Sequence, residues 1–284
     1  MEITINGKKA DITLDTEKNL GDILSGIEQW ISSGGSRIQE VKVNGRDLSN
    51  SLTESFDLDA KKIKTLEIDV SPWRELAYKA LIDLRATCDM YGNAAFDERR
   101  TIAAAWGESA AARFLASDIP DIYDLAVHTL SGEGLSAGDL AILTEERLRE
   151  AADPRREIIS SEPLVKSIAA RMEELPLDIQ TGKDGRAAET VQLFARTGEK
   201  LLRIFSILKT EGLSPDSFVI EALPVRNFIE EFNAVLKELS AAYENRDTVL
   251  VGDLAEYELA PRLLTFFTAL KDFSESPSPS VPRH

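Results

Sequence analysis

Cysteine, histidine and tryptophan are scarce in this chain of 284 residues, with one, two and three copies. A single cysteine permits neither an intramolecular disulfide nor a zinc site built from several thiolates. His284 is the last residue of the sequence, so His128 is the one imidazole placed for catalysis. The patterns Glu-x-x-His and His-Glu-x-x-His are absent, which removes the helical di-iron and zinc-protease signatures. No run approaches the roughly 20 apolar residues that span a bilayer. Met1-Glu2-Ile3 opens a strand pattern rather than a basic, apolar leader, and a cytoplasmic location is therefore expected. Basic residues are outnumbered, 33 against 49 acidic ones, for a net charge of −16. Phosphate backbones are bound by clustered Lys and Arg, and the densest basic run, Lys61-Lys62-Ile63-Lys64, reads as a solvated strand edge. Neither nucleic acid nor a membrane is expected as a partner.

What is present is 43% hydrophobic residues, enough for a sizeable core, and a change of hydrophobic period near Ser71. Before it, Ile3-Thr4-Ile5 and Ala10-Asp11-Ile12-Thr13-Leu14 alternate around Asn6-Gly7, a pair suited to a two-residue hairpin turn. Leu20, Ile23, Leu24, Ile27, Trp30 and Ile31 follow with helical spacing up to Gly34-Gly35, a stop signal. Trp30 extends the 3-4-3 face of Leu20, Ile23 and Ile27, which predicts that it packs on the sheet. Val41 and Val43 precede a second turn signal, Asn44-Gly45, and Ile63, Leu66, Ile68 and Val70 form a last strand candidate. The order reads strand, strand, helix, strand, short strand, strand.

Through the Ile3-Thr4-Ile5-Asn6-Gly7-Lys8-Lys9 hairpin, the amphipathic helix and the late strand, residues 1–70 resemble the β-grasp fold of ubiquitin-like and sulfur-carrier proteins. The resemblance implies a compact surface for protein contact. Sulfur carriers end in a free Gly-Gly whose carboxylate is activated, whereas Gly34-Gly35 is internal here and the last strand runs through Ser71-Pro72 into a helix.

Helical spacing dominates after Ser71. A first helix from Pro72 to Tyr91-Gly92 carries the stripe Ala77, Leu81, Leu84, Cys88, Tyr91, which makes Cys88 a buried structural thiol. Shorter helices are expected over 96–106, 109–117, 121–130, 136–151 and 162–175. Ala187, Val191, Phe194, Gly198, Leu201, Phe205 and Leu208 then keep a 4-3 rhythm, a seam needing a partner helix. Val225, Phe228, Phe232, Val235, Leu239 and Ala242 repeat it, as do Leu259, Leu263, Phe266, Leu270 and Phe273. Gly198 is expected to admit a neighbouring backbone, and Pro261 to start or kink the final helix. The fold class is α+β: a β-grasp-like domain over 1–71, shorter helices over 72–175, a long-helix bundle over 176–273, and a disordered Pro/Ser tail over 274–284. The seams also offer a route to homo-oligomers.

The chemistry-bearing constellations are few. Asp124 and His128 are spaced i, i+4, as an ion pair or a base with its orienter. Leu177–Asp184 has the Gly-Lys of a phosphate loop but lacks its leading glycine and its magnesium-binding hydroxyl. It reads as a surface connection in which Thr181 or Asp184 caps the next helix, while Lys183 remains available to a partner's acid group. Glu244, Asp247, Asp253, Glu256 and Glu258 form the most carboxylate-dense stretch. Glu244-Asn245-Arg246-Asp247 resembles one element of the all-helical nucleotide pyrophosphatases, which hold magnesium between Glu-x-x-Glu and Glu-x-x-Asp pairs. The first element is absent. On one continuous helix Glu244 and Asp253 stand about 180° apart, so an ion shared by Glu244, Asp247, Asp253 and Glu256 requires a break near Arg246. The other reading is an acidic solvated face around buried Val249, Leu250, Val251, Leu254 and Tyr257. Pro279-Ser280-Val281-Pro282-Arg283 contains a P-x-x-P that fits an aromatic groove. The expectation is a non-enzymatic interaction or scaffold protein with protein partners and no cofactor, the alternative a magnesium-dependent nucleotide hydrolase built on those four carboxylates.

Overall fold

The computed structural model describes residues 1–12, 16–48, 55–210, 213–214 and 218–276. The protein is α+β. Its contacts divide it into two compact units, Met1–Ala152 with Thr210–Gly212, and Asp153–Lys209 with Leu213–His284.

In the first unit, β1 (Glu2–Ile5) and β2 (Lys8–Lys9) form a hairpin, α1 (Leu20–Ser33) follows, and β3 (Ser36–Val43), β4 (Arg46–Asp47) and β5 (Thr65–Pro72) complete a sheet of order β2-β1-β5-β3-β4. Only the central pair β1/β5 is parallel. Both Asn-Gly turns adopt positive φ, 49° and 72° at Asn6-Gly7 and 52° and 79° at Asn44-Gly45. Each asparagine also ties its turn to the central strand region. Asn6 accepts from Val70 N at 2.8 Å, and Asn44 accepts from Lys64 N at 2.7 Å and Thr65 N at 3.1 Å. Val41 and Val43 were too few to reveal an eight-residue β3. Its register shifts between Ile38 and Glu40, and this bulge breaks the alternation by which a strand is read.

α1 starts where Asn19 accepts from Asp22 N at 2.8 Å, and it buries Leu20, Ile23, Leu24, Ile27 and Ile31 against the sheet. Trp30 does not join them and is 66% exposed. From Leu20 it lies about 80° round the helix while Ile31 lies about 20° round, so Ile31 takes the sheet and Trp30 faces outward.

Pro72 ends β5 and is also the N-cap of α2 (Trp73–Asn93), so strand passes into helix without a linker. α3 (Phe96–Gly107), α4 (Ala110–Asp118), α5 (Pro120–Leu130) and α6 (Ala137–Ala152) complete this unit around a core of Leu81, Leu84, Cys88, Leu115, Ile122 and Leu140. The carboxylate of Asp118 binds the two parts of the unit together. Its Oδ1 accepts from Arg37 Nε on β3 at 2.9 Å and from Trp73 Nε1 at 3.0 Å.

The second unit holds α7 (Pro154–Ser160), α8 (Glu162–Glu173), α9 (Leu175–Gln180), α10 (Asp184–Thr210), a hairpin of β6 (Val219–Ile220) and β7 (Leu223–Pro224), α11 (Val225–Glu244), α12 (Thr248–Asp253) and α13 (Ala260–Glu275). The three expected seams meet in one core, where Phe194, Phe205, Phe228, Phe232 and Phe266 interlock at ring separations of about 6 Å. The seams are thus covered by one another. A turn of π-helix, Leu254–Leu259, joins α12 to α13 just ahead of Pro261. That widening gives the proline ring room where an α-helical carbonyl would collide with it.

The second compact unit begins at Asp153. Gly198 is buried, yet a Cβ there would meet nothing within 4 Å, so no backbone approaches it as expected. α13 extends to Glu275, beyond the 274 at which the tail was set. Pro279–Arg283 lies outside the described residues. No helix among those described is long and apolar enough to cross a membrane.

Candidate functional site

The second unit presents an open groove of about 700 Å³ between the β6–β7 hairpin and α13. α13 builds one wall because Leu264, Thr265, Thr268, Ala269, Asp272, Phe273 and Ser276 recur at spacings that keep them on a single stripe. Phe218, Val219, Ile220 and Glu221 supply the other. Core packing fixes that wall: Ile220 is buried, and Phe218 stands edge-on to Phe273 with ring centres 6.1 Å apart and lies 5.9 Å from Phe205. Val219 remains 51% exposed at the lip.

Glu221 and Ala222 turn the hairpin with φ of 51° and 67°. A two-residue turn of this kind favours Asn-Gly, and two ordinary L-residues hold it here at a conformational cost. The missing Asn-Gly is why the hairpin escaped sequence reading; the β-branched pair Val219-Ile220 was its only signal. The turn sets the Glu221 carboxylate on the groove, where Thr265 Oγ1 donates to it at 3.5 Å.

Among the described residues that line the groove there are two acids, Glu221 and Asp272, and no base. At its far end Arg155 stands 4.9 Å over the Phe273 ring and donates from Nη1 to the carbonyls of Phe273, Ser274 and Ser276 at 3.4, 3.3 and 2.8 Å. This cation thereby closes the carboxy-terminal end of α13. A trough that mixes apolar side chains with hydroxyls and two carboxylates suits a segment that brings both apolar side chains and a positive charge.

The carboxylates singled out by sequence lie elsewhere. The break that a shared ion requires is present, since α11 stops at Glu244 and Arg246 adopts φ 57°. Asp247, however, is used as the N-cap of α12, accepting from Leu250 N at 3.0 Å. Asp253 closes α12, Glu256 sits in the π-helical turn, and Glu258 pairs with Arg262. Among the described residues no three of His, Cys, Asp and Glu converge to hold a metal ion. Val251 and Leu254 are buried as expected, but Val249 and Tyr257 are 69% and 64% exposed. The helix break turns Val249 outward. Glu256, by hydrogen bonding, holds the Tyr257 phenol protonated beyond its usual range.

His128 is exposed and approaches Glu133 across the turn, Nδ1 to Oε2 at 3.7 Å, where Asp124 was the expected partner. Cys88 is buried, and desolvation pushes its thiol up to about 11, which suits packing and not nucleophilic attack. Leu177–Gln180 belongs to α9 rather than to a surface connection, and Thr181 Oγ1 donates back to Leu177 O at 2.7 Å instead of capping α10. Lys183 is turned to buried Asp178, Nζ to Oδ1 at 3.5 Å, beside Arg186 Nε at 3.0 Å from Oδ2. Of the basic run, Lys61 and Lys62 lie in a short 3-10 turn ahead of β5.

Comparison with known proteins gives two partial matches. Residues 1–72 match the family described as TP0873 N-terminal domain, and residues 157–268 match a domain of unknown function (DUF8042). No solved structure matches. The chain is also 24% identical over 261 residues, 92% of each partner, to an uncharacterized protein of Treponema pallidum (strain Nichols). The first match ends where β5 meets α2, and the second, which opens within α7 and closes within α13, takes in the hairpin and the first half of the α13 wall, as far as Thr268.

Proposed function

We propose that the chain is a non-enzymatic cytoplasmic interaction or scaffold protein that binds partner proteins through the hairpin–α13 groove. The observation that carries this reading is the groove itself: an open trough whose walls include Phe218, Leu264, Ala269 and Phe273, with Glu221 and Asp272 along it. Exposed apolar concavities of this kind mark contact sites on soluble proteins. A β-grasp-like character for residues 1–72 agrees with the sheet order β2-β1-β5-β3-β4 and with a helix over one face, and modules of that shape work through their surfaces. Affinity capture from the native extract, with full-length chain as bait, tests it. Thr268→Arg fills the groove from an exposed position and should cut recovery of the bound proteins by about tenfold or more. Equal recovery with both baits would remove the groove from the reading.

A second reading, a magnesium-dependent nucleotide hydrolase, draws on the helix break at Arg246. Calorimetry with magnesium and nucleoside triphosphates separates the two. Saturable metal binding lost in Asp247→Asn, together with pyrophosphate release, would replace the scaffold by the hydrolase.

A further inference from the structure

Building on the reading of the groove as a protein-binding site, we infer that its occupant is an amphipathic helix of a partner protein. That helix carries Arg or Lys at two positions, i and i+7, and apolar residues at i+3 and i+4. The groove's own acids set this register. Glu221 sits beside Thr265, whose Oγ1 donates to it at 3.5 Å, and Asp272 follows on the same stripe of α13. From Thr265 to Asp272 the helix advances about 10.5 Å, close to two turns. A second helix laid along α13 therefore meets the two carboxylates with side chains i and i+7. Both acids are exposed, and Arg155, at the end of α13, is already held by the carbonyls of Phe273, Ser274 and Ser276.

The walls favour a helix over an extended segment. A strand added to a sheet edge gains affinity from a run of main-chain hydrogen bonds, and β6 is two residues long, with Ile220 already paired to Leu223. By contrast, the α13 wall from Leu264 to Ser276 gives about 18 Å of continuous helix surface at 1.5 Å per residue. Its stripe is short-chained at Thr265, Thr268, Ala269 and Ser276, which lets a second helix axis come to about 8 Å, the near end of the usual range. The hairpin wall runs alongside, from Glu221 beside Thr265 to Phe218 against Phe273, and Val219 lies between them, 51% exposed. Apolar side chains at i+3 and i+4 fall between the two acids, over Ala269 and against Val219. Basic residues one and two turns away from that centre pair with the acids, and a helix with acids in their place is repelled.

The test is a selection for binding to the full-length chain from a displayed library of stable helices whose outward positions are randomised. Binders that lose about tenfold or more in affinity on Thr268→Arg should be enriched in Arg or Lys at i and i+7 and in apolar residues at i+3 and i+4. They should also weaken by about tenfold or more on the exposed double change Glu221→Gln/Asp272→Asn, whose far-ultraviolet ellipticity should match that of the natural chain. A synthetic peptide of the selected sequence with its second basic residue moved from i+7 to i+5 should bind about tenfold more weakly. Binders that depend on Thr268 but hold no basic pair, or that ignore the double change, would sink the helix and leave the groove standing. A library that yields no Thr268-dependent binder would overturn both. A dimer in sedimentation that Thr268→Arg dissolves would assign the groove to a second copy and overturn the inference as well.

Discussion

Gly198 and Gly252 both sit inside helices of the second unit, and the space around them decides opposite outcomes. Glycine in a helix interior costs about 0.5–1 kcal/mol relative to alanine. A Cβ on Gly198 meets nothing within 4 Å, whereas one on Gly252 comes within 2.9 Å of Pro176 Cβ on α9. Gly198→Ala should therefore raise stability by about 0.5–1 kcal/mol, and Gly252→Ala should lower it by about 1–3 kcal/mol, both read from urea denaturation. Trp30→Ala should change stability by less than about 1 kcal/mol because the indole is 66% exposed; a loss of 3 kcal/mol in the same titration would place it in the core. Whether a residue faces the core was legible where a stripe has a clear centre, as at Leu81, Leu84 and Cys88. It was not legible at stripe edges, where Trp30 and Ile31 compete for one face, or at Val249, where a break resets the helical phase. No sequence pattern records the emptiness around Gly198 either, since that depends on side chains distant along the chain.

Elements were read well where local chemistry repeats. Asn6-Gly7, Asn44-Gly45 and the three long seams each announce one geometry several times over. The short pieces α7, α9 and the β6–β7 hairpin were missed, because six or seven residues carry too few apolar repeats and Glu221-Ala222 is not a turn sequence. One pairing between elements yields a pH dependence. Glu162 on α8 takes Lys166 Nζ at 2.7 Å and Lys271 Nζ of α13 at 2.8 Å, and these hydrogen bonds hold its carboxyl at about 2. A carboxyl depressed in the folded state contributes stability above its unfolded value, near 4.3, and loses it as pH falls towards 2. The melting temperature should thus drop between pH 5 and 2 by more in the natural chain than in Glu162→Gln. Parallel curves for the two would show that the α8–α13 link adds nothing.

For the molecule as a whole, the three tryptophans offer a separation of signals. Trp30, Trp73 and Trp106 all belong to the first unit, so indole fluorescence follows that unit while far-ultraviolet ellipticity follows helices of both. Leu263 is fully buried in the core of the second. Leu263→Ala should cost about 2–5 kcal/mol there and move the ellipticity transition more than the fluorescence transition; coincident shifts would mean that the chain unfolds as a single cooperative block. The direct passage of β5 into α2 at Pro72-Trp73, braced by Asp118, has a mechanical meaning. A small module on a flexible leash explores a volume and reports nothing to the body that carries it. Here strand and helix form a stiff shaft, so a load applied to the sheet becomes torque on α2, and amides of the sheet and of α2–α6 should share one rotational correlation time in solution.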